Sequence, residues 1–119
     1  MAKKIKYQNK TISLSSGASS STSGRITTDS GFKRVTGVAV VAYDGDEQAF
    51  RIAFRDNGGE LQDAINWKFL DAAKVDSLER QFVPVDWAAG GNEIEAVVTP
   101  IVELTGDVAL DICFRLENK

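Results

Sequence analysis

The sequence predicts an all-β protein: a single-domain β-sandwich of about eight strands, jelly-roll-like in topology, with one short helix near residues 71–81. Three observations support this fold class. Apolar and polar residues alternate with period two through most of the chain. Clusters of glycine, asparagine and aspartate separate these runs at spacings of roughly 8 to 15 residues. A length of 119 residues with 43% hydrophobic residues suits one domain with one core.

The central runs predict three strands joined as a meander. Residues 35–43 are mostly small and branched apolar residues, which is typical of a strand buried on both faces. Residues 49–55 alternate apolar residues with arginines, and the Asn57-Gly58 pair that follows favours a tight hairpin turn. The third run predicts a less regular strand. Its apolar residues all lie at odd-numbered positions: Leu61, Ile65, Trp67 and Phe69.

The C-terminal half predicts one helix followed by further strands. Apolar residues recur at spacing three over residues 71–81, and Asp71 is a suitable cap for this helix. Pro84 lacks an N–H group, so residues 82–87 predict an edge strand or a bend. Residues 94–104 contain a second proline, Pro100, which indicates a bulge or a change of sheet. Residues 108–116 show the most regular alternation in the chain.

The N-terminal region differs from the rest in charge and composition. Residues 1–28 hold five basic residues and no acidic one, whereas the remaining residues carry a net charge of −8. Residues 13–24 are dominated by serine, and such small polar residues bury too little apolar surface to order readily. We therefore expect a basic, serine-rich arm and loop over residues 1–24 and a β-sandwich over residues 25–119, with short strands near residues 4–14 and 25–28 as additional candidates.

The lysines of this arm are the candidate contacts with a partner. Lysines spaced this closely can neutralise the phosphates of a nucleic acid or contact an acidic neighbouring protein. A solvated tail without a partner is the simpler alternative, since like-charge runs often bind nothing specific. The candidate residues are Lys3, Lys4, Lys6 and Lys10.

The missing residue types exclude several kinds of chemistry. Without histidine the chain cannot form a Ser-His-Asp or Cys-His catalytic group or a histidine-ligated metal site. Cys113 is the single cysteine, so an intrachain disulfide and a CxxC site are excluded, and we interpret it as an apolar filler. Residues 44–47, Asp-Gly-Asp-Glu, resemble part of a calcium loop, but a polar turn is the simpler interpretation. We expect no catalytic residue, no metal and no cofactor.

Two tryptophans are candidate contact residues. Trp67 lies between Asn66 and Lys68, and Trp87 precedes a run of small residues, so both are expected to be partly exposed. An exposed tryptophan could stack on a sugar or base, or anchor a contact between subunits.

The start of the chain does not have the pattern of a secretion signal. Residues 1–7 are positively charged, but the polar residues 8–11 follow where an apolar segment would be needed. The longest uncharged apolar run is far shorter than the roughly 20 residues of a membrane span. We therefore expect a protein that folds in a cytoplasm and has no transmembrane segment.

These features together resemble small jelly-roll structural proteins of bacteriophage particles, such as minor capsid, vertex or decoration proteins. The resemblance is based on the basic residues 3–10, the serine-rich segment and about eight strands ending at residues 109–116. It implies a non-enzymatic virion protein, made in the host cytoplasm, that assembles with itself or with other shell proteins and contacts nucleic acid weakly through its arm. The alternatives are a cytoplasmic ligand-binding module, for example for carbohydrate, and a small enzyme that uses carboxylates.

Overall fold

A computed structural model describes residues 5–45, 48–72 and 81–118 and consists almost entirely of β-strands. Its strands are β1 (Ile5–Leu14), β2 (Thr22–Thr27), β3 (Arg34–Asp44), β4 (Phe50–Asp56), β5 (Gly59–Asn66), β6 (Val83–Ala88), β7 (Glu93–Pro100) and β8 (Val108–Glu117). The predicted β-sandwich of about eight strands is confirmed.

The strands form two antiparallel four-stranded sheets. Sheet A has the order β1-β8-β3-β6, and sheet B has the order β2-β7-β4-β5. The first strand thus pairs with the last, the second with the seventh, the third with the sixth and the fourth with the fifth. The chain therefore follows the path of a long antiparallel ribbon that is folded over on itself.

The sheet orders also determine which strands lie at the sides of the sandwich. β1 and β2 are edge strands, and side chains of β1 reach the chain at β2: the Gln8 side chain donates to the Thr27 carbonyl oxygen over 3.1 Å. These two strands therefore form one side of the sandwich. The opposite edges, β5 and β6, form the other side.

The core lies between the sheets and is formed by the alternating apolar residues. β8 contributes five inward side chains, from Val108 to Leu116, each at most 1% exposed. At one end of the core the rings of Phe54, Trp87 and Phe114 pack with centroids 5.1 to 5.9 Å apart. The period-two alternation therefore produces the buried layer, because successive strand residues point to opposite faces.

The third predicted strand ends earlier than its sequence alternation indicates. β5 stops at Asn66, and Trp67–Leu70 forms a 3-10 turn. The Asn66 side chain accepts a hydrogen bond from the backbone N–H of Lys68 over 3.0 Å and caps the turn. Trp67 and Leu70, three residues apart, then point together into the core. The helix expected near residues 71–81 falls mainly on residues 73–80, which lie outside the described residues.

The described part of the segment expected as an arm over residues 1–24 forms β1 and the first half of β2, in keeping with the strand candidate near residues 4–14. β1 pairs with β8 over its full length, from Ile5 opposite Glu117 to Leu14 opposite Val108. Ile12 and Leu14 belong to the buried core, and residue 24 falls inside β2. The first half of β1 is exposed, and its polar residues therefore resemble those of a free tail.

Candidate interaction surfaces

The predicted lysine cluster lies on an ordered edge strand where it is described. Lys6 and Lys10 are exposed on β1, whereas Lys3 and Lys4 lie outside the described residues. The Lys6 ammonium is 2.5 Å from a carboxylate oxygen of Asp29, and this hydrogen bond lowers the pKa of that carboxyl. Lys10 has no ion-pair or hydrogen-bond partner within the part of the chain that the structure describes. Its charge is therefore available to a partner.

The serine-rich segment is a hydrogen-bonded connection and not a free loop. The backbone of Gly17 donates to the carbonyl oxygen of Leu104 over 2.7 Å, and the backbone of Leu104 donates to that of Ala18 over 3.0 Å. The backbone of Ser16 donates to the Asp107 carboxylate over 2.8 Å. Backbone groups of the neighbouring loop, which sequence composition does not reveal, thus hold the segment in place.

Both tryptophans that were expected to be exposed are buried. Trp67 is 1% exposed and stacks on Phe50 with ring centroids 5.1 Å apart, and Trp87 is 8% exposed. The polar neighbours of Trp67 predicted an exposed ring. Trp67 instead lies in a 3-10 turn, which directs its ring into the core. Neither ring can serve as a sugar-binding platform or a subunit anchor, so the carbohydrate-binding alternative loses its candidate residues.

One side of the sandwich, which we call the basic side, consists of β1 and β2. Its charged strand residues are Lys6, Lys10 and Arg25. Arg25 contacts two glutamates of β7, with nitrogen–oxygen distances of 3.1 Å to Glu93 and 3.6 Å to Glu95. Neither strand carries an acidic residue, so the charged strand residues of this side are all basic.

The opposite side, which we call the acidic side, consists of β5 and β6. Its charged strand residues are Glu60, Asp63 and Asp86. Asp86 contacts Arg34 of β3 at 2.7 Å, and its side chain is still largely exposed. Neither strand carries a basic residue. The charged strand residues of the two sides thus have opposite signs, although Lys6, Arg25 and Asp86 are each paired with a neighbouring charge.

A bulge on β5 brings two carboxylates together on the acidic side. Between the pairs Phe54–Gln62 and Arg55–Glu60 the register shifts, and Leu61 is the additional residue on β5. Glu60 and Asp63 then lie close to each other, with Arg55 of β4 opposite Glu60. A hydrogen bond with the Asp63 side chain and the negative charge of Asp63 raise the pKa of Glu60, since a nearby like charge disfavours ionisation, whereas the positive charge of Arg55 lowers it.

A second ionic cluster lies on the exposed face of sheet B. Arg55 forms a hydrogen bond with Glu95, which also contacts Arg25. The hydrogen bond from Arg55 is the largest cause of the lowered pKa of Glu95. Because these charges compensate one another within one sheet, we interpret the cluster as cross-strand pairing that stabilises sheet B.

The outer face of sheet A, which points away from the core, carries a small apolar cluster. Ala39, Ala72 and Phe82 are buried there, and Cys113 packs against them. Burial raises the pKa of the Cys113 thiol, and the charge of Asp111 acts in the same direction. Cys113 is thus a half-buried thiol in apolar surroundings, which agrees with its interpretation as a filler.

The Asp44–Glu47 turn stays a sequence prediction, because Asp46 and Glu47 lie outside the described residues. Across residues 5–45, 48–72 and 81–118, the structure contains no group of three metal-ligating side chains. Over the same residues it also contains no helix long and apolar enough to cross a membrane.

Sequence reasoning identified the lysines but missed the acidic side. Glu60 and Asp86 are 26 positions apart in the sequence, and only the sheet order places their strands on one side. The strand charges themselves were visible in the sequence. The missing information was the order of the strands.

Comparison with solved structures supports the fold. The chain resembles a chain of the cyanophage Pam1 capsid asymmetric unit with a TM-score of 0.60 at 10% identity, covering 98% of this chain and 86% of that chain. More distant likenesses are a Helicobacter pylori bacteriophage KHP30 capsid chain (TM-score 0.44, 11% identity, 97% and 94% covered) and the Yersinia pseudotuberculosis-derived mitogen (TM-score 0.46, 12% identity, 90% and 84% covered). No protein-family model and no curated protein sequence matches the chain. The architectural resemblance to a phage capsid protein is thus found in the structure, because the Pam1 likeness shows a shared fold.

Proposed function

We propose that this protein is a non-enzymatic structural component of a phage-like particle and acts through protein–protein contacts. The observation that carries the proposal is the Pam1 likeness, which extends over nearly the whole of both chains. A match of this extent supports a complete sandwich of similar size and not a shared fragment. The nested strand pairing, from β1–β8 inward to β4–β5, supports assigning the sandwich to the jelly-roll topology.

The surface of the sandwich supports assembly with other proteins. Four edge strands are open among the described residues, and open edges are sites where proteins pair or dock. Large apolar side chains are also exposed: Ile5, Tyr7, Val41, Phe69, Ile101 and Val102. In the proposed role, neighbouring copies or other shell proteins cover these groups.

The remaining parts of the proposal concern nucleic acid and location. The basic side offers Lys10 as an unpaired cation, which supports a weak, salt-dependent contact with phosphates. The opposite side and the net charge of −3 disfavour a dedicated nucleic-acid-binding surface. We place the protein in the virion, with synthesis and folding in the host cytoplasm.

The test is the molar mass in solution, measured by light scattering over a range of protein concentrations. We expect species heavier than the 12.9 kDa monomer, increasing with protein concentration. The ratio of absorbance at the nucleic-acid and protein maxima, recorded on the same peak, reports bound nucleic acid. A monomer at every concentration and salt, with electron micrographs free of assemblies, contradicts the proposed role in self-assembly.

A further inference from the structure

We propose that the basic side of one copy docks against the acidic side of a second copy, so that the copies associate head to tail. This inference rests on the proposed function, because it assumes that the protein assembles with itself. It names the two surfaces that meet: β1 and β2 of one copy, and β5 and β6 of the next.

The first argument is that each side carries charge that the monomer compensates only in part. Lys10 has no partner of opposite charge within the part of the chain that the structure describes. On the acidic side, Glu60 and Asp63 lie close together, and the hydrogen bond with Asp63 and its negative charge raise the pKa of Glu60 although Arg55 of β4 lies opposite it. A cation from a neighbouring copy would relieve this repulsion. Association therefore improves the electrostatics of both sides.

The second argument concerns the symmetry of the contact. Two basic sides repel each other, and so do two acidic sides, so a twofold contact of either side with itself is disfavoured. Only unlike sides attract. A contact between unlike surfaces is heterologous, and repeating it produces a closed ring or an open filament. A shell component that contacts several neighbours through different surfaces fits this arrangement.

The third argument is that exposed apolar surface borders each side. Ile5 and Tyr7 of β1 are each 47% exposed on the outer face of sheet A, where the ring of Tyr7 packs on Phe82, and Phe69, in the 3-10 turn after β5, is 67% exposed. Exposed ion pairs alone contribute little to affinity, whereas aromatic residues are enriched among residues that dominate binding. Charge thus selects the partner side, and these apolar groups at the borders of the two sides extend the contact.

The strand geometry indicates that side chains make the contact. β5 departs from regular register with β4 at two positions, and Pro84 in β6 cannot donate a backbone hydrogen bond. Bulges and prolines both hinder continuous pairing between the edges of two sheets. The contact is therefore a side-to-side docking and not an extension of one sheet into the next, and it is sensitive to salt.

The test uses one charge reversal on each side of the full chain. Lys10→Glu reverses one charge on the basic side, and Glu60→Lys reverses one charge on the acidic side. Both residues are exposed. The matched controls are Lys33→Glu and Glu103→Lys, which change the net charge by the same amounts in exposed loops between strands. Thermal unfolding of every variant verifies that the fold is retained, and sedimentation velocity measures association.

We expect each reversal on a side to weaken self-association by about tenfold or more, with the controls close to the unmodified protein. Mixing Lys10→Glu with Glu60→Lys restores association, because the intact acidic side of one variant meets the intact basic side of the other. Restoration on mixing is specific to a head-to-tail contact.

The contrary results separate this inference from the proposed function. If both reversals associate as the unmodified protein does, or if mixing restores nothing, the docking of unlike sides is wrong while self-assembly stands. If the unmodified protein never associates, the proposed self-assembly fails, and this inference fails with it.

Discussion

Replacing Ile12 with alanine tests whether β1 is part of the core or a dispensable arm. Ile12 is 4% exposed and belongs to the central apolar cluster. It lies opposite Leu110 of β8, and a side chain added at Gly24 of β2 would lie 3.1 Å from its side chain. It therefore fills space between the two sheets at the edge where β1 and β2 meet. Alanine at this position removes three carbon atoms from a packed site.

The expected loss follows from burial. Replacing a buried isoleucine with alanine costs about 2 to 5 kcal/mol, depending on how far the surroundings close the cavity. β1 is an edge strand and can shift toward Gly24, so we expect the lower half, about 2 to 3 kcal/mol. A chain of this length changes its melting temperature by roughly 4 °C per kcal/mol, which gives a decrease of about 8 to 12 °C.

The assay is denaturant unfolding followed by circular dichroism, with thermal melting as a second measurement. Ser13→Ala is the control, because Ser13 is the exposed neighbour on the same strand and its side chain points to the other face. We expect it to change the free energy of unfolding by less than about 0.5 kcal/mol. If Ile12→Ala unfolds at the same denaturant concentration as the control, β1 does not contribute to the core and the arm interpretation is restored.

Three further predictions concern packing, pH and fluorescence. Gly37→Ala places a methyl carbon 2.9 Å from the Cβ atom of Phe82, so we expect thermal melting to show a loss of about 1 to 3 kcal/mol, whereas Gly106→Ala, whose nearest contact is 3.6 Å, loses less. Asp63→Asn removes the carboxyl group whose hydrogen bond and negative charge raise the pKa of Glu60, so an NMR titration should show that pKa shifted down, and an unchanged value would contradict the pairing. The raised pKa disfavours ionised Glu60 in the folded state, so this variant should also be slightly more stable than the unmodified chain above that pKa, with the difference vanishing as Glu60 protonates. Acrylamide should quench both tryptophans poorly in the folded monomer, since both are buried, and strong quenching would contradict their placement.

The alternation of apolar residues predicted the sandwich well where one face of a strand is buried. β8 and β4 show this most clearly, because their inward residues are large and their outward residues are polar or small. Residues 35–40 are all buried, as expected for a strand covered on both faces. Within sheet A this strand lies between β8 and β6, and Phe82 covers part of its outer face.

Sequence patterns failed where tertiary contacts determine the local structure. β1 has only two buried residues, at its C-terminal end, so its first half has the composition of a tail although β8 pairs with all of it. In the sequence, Trp67 continues the apolar alternation of the preceding strand. In the structure, the Asn66 cap starts a 3-10 turn that directs the Trp67 ring into the core. Neither the pairing nor the cap changes the apolar periodicity of the sequence.

The candidate surfaces were predictable only in part. The lysines of β1 stand out in the sequence because they are clustered and unaccompanied by acids. The acidic side becomes visible only when the sheet order brings β5 and β6 to one side. The separation of basic and acidic strands onto opposite sides is thus a property of the fold. It follows from the order of the strands in the two sheets, which no single segment of the sequence reveals.

Zero-length cross-linking tests the head-to-tail arrangement most directly. A carbodiimide joins a lysine amine to a carboxylate only when the two are in contact, and Lys10 and Glu60 lie on opposite sides of one molecule. A mixture of isotopically heavy and light protein, cross-linked at low salt, identifies bonds between copies by mass spectrometry. We predict mixed-isotope peptide pairs that join Lys10 or Lys6 to Glu60, Asp63 or Asp86. Associated protein whose mixed-isotope pairs lie elsewhere, with none between these residues, would contradict the docking of the basic side on the acidic side.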